Sequence, residues 1–514
     1  MRPKYLFGLL YFSINIVLLT INGPAIGQSR PAHSWYVDTA GSDGGGNGYK
    51  NKPFKTIWRI NVVELHPGDT VYLRAGQTFN GTLELRAGLN GTAKNPIVIT
   101  SYGKGRAIIN GGDSSAVRVY KESFVKLQNL ALRGSGRKTG NVKDGLAIIN
   151  CKNVQVNNFD ISGFQKSGLL IFSSQNIVAN HVSAHDNGSA GITVEAPYQT
   201  RESHSIKILN CRAENNPGDP TNLTNHSGNG IVVGDCRKVL IDHCTATNNG
   251  WDMPRIGNGP VGIWAYEADS VIIQHCLSYK NKTSKGGADG GGFDLDGGVT
   301  NSVVQYNVSY SNWGSGYCIF QYWGASPWHD NIFRYNISEN DGTVSDSQAG
   351  LYVWNSSDDE KQFHDCQVYG NIIYNDKVAA LCFSEKSDSK GLVFSYNIFV
   401  GKDSLIKGKD KIGDAKYRAN DWWSIDKGFS MTDVKDFDAW RRRYAIVSAA
   451  NVWKKGLEFW YEWNFKPDFI NPGNTEITSA DKLNTFSNYR LRKNSDLRKT
   501  EVYSGTHGIK NIKL

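Results

Sequence analysis

The sequence predicts an all-β solenoid: a right-handed parallel β-helix with an N-terminal cap and a C-terminal segment containing one short helix. Three observations predict it. First, short strands recur behind a glycine in one register: Gly145-Leu-Ala-Ile-Ile, Gly168-Leu-Leu-Ile-Phe, Gly191-Ile-Thr-Val-Glu, Gly230-Ile-Val-Val-Gly, Gly262-Ile-Trp-Ala-Tyr, Gly292-Phe-Asp-Leu-Asp, Gly316-Tyr-Cys-Ile-Phe and Gly350-Leu-Tyr-Val-Trp, with Ala380-Leu-Cys-Phe-Ser in the same register. Where no loop intervenes, from Gly145 to Gly168 to Gly191, the period is 23 residues, the size of one stacked unit. Second, the first and third residues after each glycine are apolar, as in Leu146/Ile148, Ile231/Val233 and Leu351/Val353, while the second and fourth vary. This is the period-2 signature of a strand with one face in the core. Third, a second strand follows within most units, as in Val239-Leu-Ile and Val271-Ile-Ile. A propeller would need blades of about forty residues and a leucine-rich repeat its leucine consensus; neither pattern is present.

In chain order, residues 1–27 read as a secretory signal. Arg2 and Lys4 precede an apolar run from Leu6 to Ile21, and Ala25-Ile26-Gly27 offers a small-x-small cleavage site. No stop-transfer pattern follows, so the mature chain is expected to have no membrane span and to be secreted, periplasmic or at the cell surface. Residues 28–400 are assigned to the cap and β-helix. Residues 401–514 are assigned to the last coils, a lateral helix and a capping segment. The helix is expected over about Ser430–Tyr444, with Ser430 and Asp433 as a capping pair and Val434, Phe437, Trp440 and Tyr444 on one face.

The net charge is +9, and residues 401–514, with 22 Lys and Arg against 15 Asp and Glu, supply most of it. The repeat region is nearly neutral, which excludes the long cationic groove of a nucleic-acid binder. Cys211, Cys244 and Cys276 share one slot of successive units, continued by Asn307, Asn336 and Asn397. That slot reads as an internal ladder of small polar side chains, so buried free thiols are expected despite the exported context. His243 and His275 immediately precede it and read as structural.

The outward positions carry the function. Thr193/Glu195 and Val232/Gly234 lead to Trp264/Tyr266, Asp294/Asp296, Cys318/Phe320 and Tyr352/Trp354; the fifth positions add Asp235, Glu267, Gln321 and Asn355. Aromatic rings beside polar groups suit sugars, whose C–H faces pack on π-systems while their hydroxyls find acceptors. Aspartates at i and i+2 of one strand stand roughly 6.5–7 Å apart on one face. Such a pair serves glycoside hydrolysis, one carboxyl donating a proton and another activating water or attacking the sugar, or binds a hard cation such as Ca²⁺. Asp294 and Asp296 are the expected catalytic pair, with Glu267 or Asp289 as partner and His226 as a candidate general base or proton donor. Trp264, Tyr266, Asp235, Gln321, Tyr352 and Trp354 are expected to hold sugar.

Trp35-Tyr-Val-Asp-Thr-Ala-Gly, Asn51-Lys-Pro-Phe-Lys-Thr-Ile and Pro67-Gly-Asp-Thr-Val-Tyr-Leu match the opening of exported β-helix proteins. The chain thus resembles the pectin lyase-like superfamily, whose members include lyases, hydrolases and epimerases of polysaccharides. Pro467-Asp-Phe-Ile-Asn-Pro and Asn488-Tyr-Arg-Leu resemble its closing segment. Ala288-Asp289-Gly-Gly-Gly-Phe293, followed by Tyr310-Ser-Asn312-Trp-Gly-Ser-Gly316, resembles part of the calcium motif of family 9 pectate lyases. The resemblance implies a metal ligand at Asp289 alone, because Trp313-Gly-Ser315 stands where that family has paired aspartates, and the lysine base has no match. The polygalacturonase signature is also missing. The expectation is a monomeric exported enzyme that cleaves glycosidic bonds of a poly- or oligosaccharide, with a hydrolase favoured and no cofactor needed. The alternatives are a Ca²⁺-dependent lyase or epimerase on a uronate polymer, or a non-catalytic polysaccharide-binding protein.

Overall fold

The computed structural model describes residues 30–344, 348–357, 359–385, 390–402, 404–408, 415–427, 429, 436–444 and 462–514. The expected signal segment, Ser430, Asp433 and Val434 lie outside them. The solenoid is right-handed and parallel throughout, as expected. Twelve strands from Leu83–Leu85 to Ile406–Lys407 make the face built from the glycine-led segments. A 24-stranded set makes the rest of the wall. Early coils cross its corner as single long strands, Ser123–Gly134 and Lys152–Ser162. From residue 203 onward each coil divides there, as in Cys236–Asp242 and Thr245–Thr247.

The register is the one the glycines predict. Trp264 stands beside Asp294, Asp294 beside Cys318 and Cys318 beside Tyr352. The inward column of Ile231, Ile263, Phe293, Tyr317 and Leu351 is buried, and Phe293 stacks on Tyr317 with ring centroids 5.3 Å apart. Glycine opens these strands because of close approach. A Cβ on Gly230 would lie 2.2 Å from the Gly262 carbonyl oxygen and 2.8 Å from the Ala246 methyl.

Two polar columns hold the coils in phase. At the first corner the N–H of Cys211 donates to the Cys244 sulfur (3.4 Å) and that of Cys244 to Cys276 (3.4 Å). The column continues from Cys276 to Asn307 (2.8 Å), Asn336, Asn371, Asn397 and Asn420, and ends on the Glu462 carboxylate. All eight cysteines are buried free thiols. The residue before each rung is left-handed, with φ of 53° at His243, 48° at His275 and 56° at Tyr306, and Gly370 fills the same slot. Their rings pile up outside the corner, His243 on His275 at 4.9 Å and His275 on Tyr306 at 5.3 Å, a structural arrangement for both histidines. The second column escaped the sequence reading. The backbone N–H groups of Asn187, Asn216, Asn249, Asn281 and Asn312 each donate to the side-chain oxygen of the next rung, and the run ends on the buried carboxylate of Asp341.

The helix spans Phe437–Tyr444. Asp436 caps it, its Oδ1 accepting from the Ala439 N–H at 2.7 Å. Trp440 is fully buried against Tyr417 and Trp422. The chain then runs back along the flank of the solenoid. The Ala480 N–H donates to Thr245 Oγ1 (2.9 Å), and Glu339 accepts from the Thr475 N–H (2.9 Å) and Tyr489 Oη (2.6 Å). This segment covers an outward apolar column of Leu277, Val308, Ile337, Ile372 and Ile398 that would otherwise face water. It therefore spreads over many coils, where the sequence suggested a closing piece. Among the described residues no helix is long and apolar enough to cross a membrane.

The asparagine column yields a stability prediction. Asn281 accepts from the Asn249 N–H and Nδ2 and donates to Asn312 Oδ1. Its replacement by alanine strands those groups in the interior, at about 1–3 kcal/mol for each one left unsatisfied. Urea unfolding of Asn281→Ala should show a loss of at least that size.

Candidate functional site

A cavity of about 710 Å³ opens on the glycine-led face at the coils of residues 263–266, 293–295, 317–321 and 351–355. That volume is in the range of small-ligand sites. Seven of the residues expected from sequence line it: His226, Trp264, Tyr266, Asp289, Asp296, Tyr352 and Trp354. The strand register delivers the aromatic groups. Trp264 and Tyr266 form one wall, their centroids 5.3 Å apart, with His226 edge-on to Trp264 at 4.8 Å. Trp264 is pinned by its indole N–H to Asn229 Oδ1 (3.0 Å), and Tyr266 by its hydroxyl to Glu195 (3.2 Å). The opposite wall is Phe320 with Tyr352 and Trp354 in edge contact at 5.0 and 5.7 Å.

Asp289 reaches the cavity from a loop. Its backbone is left-handed (φ 60°), a conformation aspartate tolerates better than most residues. Neighbouring coils hold the loop on both sides. The Gly259 N–H donates to Asp289 Oδ2 (2.7 Å), Gln348 Nε2 donates to the Asp289 carbonyl (3.3 Å), and the Gly314 N–H donates to the Gly290 carbonyl (3.0 Å). Burial raises the Asp289 carboxyl to about 6 against that single hydrogen bond. Asp296 ends its strand, accepts from the Gly297 N–H (2.7 Å), and is raised to about 7, chiefly by burial.

Asp294, Glu267, Asp235 and Gln321 lie off the cavity lining. Asp294 is only 2% exposed, flanked in register by Trp264 and Cys318, and its Oδ1 has no hydrogen-bond partner. Burial and then the neighbouring Asp296 raise its carboxyl well above the usual range. Two charges at the i, i+2 spacing would repel by about 2 kcal/mol at an effective dielectric near 20, so the buried member keeps its proton. Glu267 turns into the next bend with φ 43°, accepting from Ser326 N–H (2.8 Å), Gln199 Nε2 (3.2 Å) and Tyr198 Oη (3.3 Å). Its carboxylate occupies the space a Cβ on Gly298 would need. Asp235 accepts from the Gln199 backbone N–H, and burial raises it to about 6. Gln321 is spent on the Gly298 N–H and the Ser326 carbonyl. Fifth positions therefore sit in the bend, where the chain turns away from the face.

Lining residues the sequence reading missed come from loops or from beyond the aligned strands: Tyr198, Asn225, Asn258, Ala288, Phe320, Tyr322 and Gln348. Phe320 and Tyr322 were within reach of the register; the loop residues carry no periodic signal. A smaller hollow of about 360 Å³ lies beneath the C-terminal segment, lined by Leu483, Phe486 and Leu491 among others, and contains none of the expected residues.

Asp289, the expected calcium ligand, brings little to such a site. A hard cation of this kind takes six to eight converging oxygens, and Asp289 brings one carboxylate with one oxygen already bonded to a backbone N–H. Among the described residues, the group of three whose ligand atoms lie within 4.8 Å of one another is Asp242, His243 and His275, on a different face.

A lacto-N-biosidase of Bifidobacterium longum subsp. longum is 23% identical over 487 residues, an alignment covering 73% of this chain and 29% of that protein. The chain thus spans under a third of that relative's length. The crystal structure of a GH136 lacto-N-biosidase from Eubacterium ramulus superposes with a TM-score of 0.50 at 18% identity, over 76% of this chain and 68% of that one. The pectate lyase Pel9A superposes with a TM-score of 0.34 at 15% identity, over 91% and 92% of the two chains. Residues 35–348 match the family described as Pel9A-like, right handed beta helix region. Because that match covers more than half of its length, the chain belongs to the Pel9A-like right-handed β-helix family.

Proposed function

We propose that the protein is an exported, monomeric, cofactor-independent glycoside hydrolase in which Asp296 and Asp289, rather than Asp294 and Asp296, form the working pair. One observation carries this reading: of the described carboxylates on this face, these two line the cavity, and they do so together with two aromatic walls. Trp264, Trp354 and both aspartates line the same cavity, so a sugar held by the aromatic rings would share it with both carboxyls. Asp296, with the higher pKa, is the acid that protonates the leaving oxygen. Asp289, ionised first, serves the sugar side, either attacking the anomeric carbon or drawing a proton from water. Environments that set two carboxyls apart in this way mark acid and base roles. Asp294, protonated beneath them, leaves Asp296 facing no permanent negative charge on its own strand.

A lyase on uronates would need a cationic base and cations for the substrate carboxylates. Among the described residues, no lysine or arginine lines the cavity. The lacto-N-biosidase resemblance supports a hydrolase acting on an oligosaccharide, and p-nitrophenyl lacto-N-bioside is accordingly the first substrate to test, alongside neutral and uronic polysaccharides.

Release of reducing ends or p-nitrophenol without an ultraviolet-absorbing unsaturated product is the expected outcome. Asp296→Asn and Asp289→Asn should each lower kcat by about 10²–10⁴, while Asp294→Asn, which keeps a neutral group in place, should lower it much less. An unsaturated product, or full activity in both first variants, would remove the hydrolase reading. Binding without turnover in the wild type would favour a polysaccharide-binding protein.

The pH dependence follows from the two carboxyls. Asp289 must be ionised, so kcat/KM should rise as pH passes about 6. Asp296 must be protonated, so it should fall above about 7. A narrow maximum between these values in a pH–rate profile is expected, and Asp289→Asn should remove the acidic limb from the residual activity.

A further inference from the structure

His226 is a cavity residue whose protonation pattern is dictated by its neighbours. Asn229, at the start of the strand Asn229–Gly234, is the key. Its Oδ1 receives the Trp264 indole N–H at 3.0 Å and the Val261 backbone N–H at 3.3 Å. Both partners are donors only, so this end of the amide is the oxygen. The other end must then be the NH₂, which agrees with its contact to the Ser189 carbonyl at 3.2 Å, an acceptor only. The same NH₂ lies 3.0 Å from His226 Nδ1. A donor on the asparagine side requires an acceptor on the ring, so Nδ1 carries no proton and Nε2 carries the only one. The orientation of the amide, often ambiguous, is here settled by three partners that each permit a single role.

We infer that His226 is locked by Asn229 as the Nε2–H tautomer and acts as a fixed hydrogen-bond donor to an oxygen of the ligand in the aromatic cavity, not as a general base. This rests on the sugar-site reading for the ligand's chemistry: a hydroxyl, ring or glycosidic oxygen of a saccharide lying against Trp264. With Nδ1 engaged and Nε2 already protonated, the ring has no lone pair free to accept a proton. Its surroundings oppose a second proton too. Burial, and to a smaller extent the Arg255 guanidinium, lower its pKa to about 4, and the ring packs edge-on against Trp264 and Tyr266. Among the described residues, the carboxyl groups lining the same cavity are Asp289 and Asp296; beside the ionised Asp289, which accepts, His226 as an Nε2–H adds a neutral donor. It is a specificity-determining residue.

The tautomer is read from the imidazole nitrogen spectrum of the full-length protein labelled with ¹⁵N-histidine, with His226→Gln used to assign the signal. The expected result is one unprotonated Nδ1 and one protonated Nε2, unchanged between about pH 5 and 8, a window above the lowered pKa. Asn229→Asp replaces the donor with an acceptor and should convert His226 to a form protonated at Nδ1, a change that a purely packing role would not produce. An Nδ1–H or doubly protonated ring in the wild type, or no change in Asn229→Asp, overturns the inference. Activity on p-nitrophenyl lacto-N-bioside then tests the donor role. His226→Phe should raise KM about tenfold or more with the pH limbs in place, and His226→Gln, which restores an N–H near the Nε2 position, should recover most of it. Loss of a pH limb in His226→Gln would make His226 a base and overturn the inference. Equal KM in wild type and His226→Phe would overturn the donor role. If the wild type does not act on this glycoside, the substrate reading fails on that count, and the nitrogen spectra still decide the tautomer independently.

Discussion

From about residue 187 onward each coil delivers the amide N–H at its corner to a side chain of the next coil, and this constraint underlies the part of the structure that carries the site. Cys211 through Asn420 satisfy it on one corner, and Asn187 through Asn312 on another. An unpaired buried N–H costs about 1–3 kcal/mol, so a coil that slipped by one residue would lose a rung at both corners and turn its inward column outward. Both columns end on carboxyl groups, Glu462 and Asp341. A carboxyl can accept two N–H groups without needing a further rung to satisfy an NH₂ of its own, so it is a natural terminator. The apolar column runs through all twelve strands of one face, and from Asn187 onward the corner columns reinforce it in keeping the strands in phase.

That phase lock turns linear sequence into a surface. Trp264, Asp294, Cys318 and Tyr352 follow one another along a line because their coils cannot shift. The strands alone would make a flat strip. Loops supply the depth: Tyr198, Asn225, Asn258 and Asp289 rise around it and turn it into a cavity. Asp289 shows how firmly a loop can be held, since its oxygen and the neighbouring carbonyls are tied to the coils of Gly259, Gly314 and Gln348.

Burial, more than pairing, sets the electrostatics. Asp144, Glu195, Asp235, Asp289 and Asp296 all have raised pKa values, and desolvation is the leading cause in each. A solenoid face that stacks like residues at about 4.8 Å intervals brings acidic groups near one another in successive coils. The result is a row of carboxyls whose pKa values are shifted up towards neutrality, the direction a general acid needs. Neutral donors such as the Tyr266 hydroxyl, bonded to Glu195, and His226 complete the surroundings.

The β-helix, its register and the inward and outward sets were legible in the residues, because a strand's period of two and a coil's period near 23 are both local rules. The Cys/Asn column was legible from its alignment in units of regular length. The Asn187–Asp341 column carried the same signal and was overlooked: from Asn216 on, each of its rungs stands five residues after a rung of the first column, as in Cys211/Asn216, Cys244/Asn249, Cys276/Asn281, Asn307/Asn312 and Asn336/Asp341. The outward aromatic residues could be named from position alone. Whether a carboxyl at such a position faces solvent, a cavity or a bend could not. Asp294 and Asp296 are equivalent by periodicity, yet one lies beneath its neighbours and the other lines the cavity; Glu267 and Gln321, one step further along, are absorbed by the turn. The sequence by itself determined the solenoid and the line along which functional groups stand. Only the tertiary structure decided which of them meet a ligand, because that choice belongs to loops from distant coils whose contacts obey no sequence period.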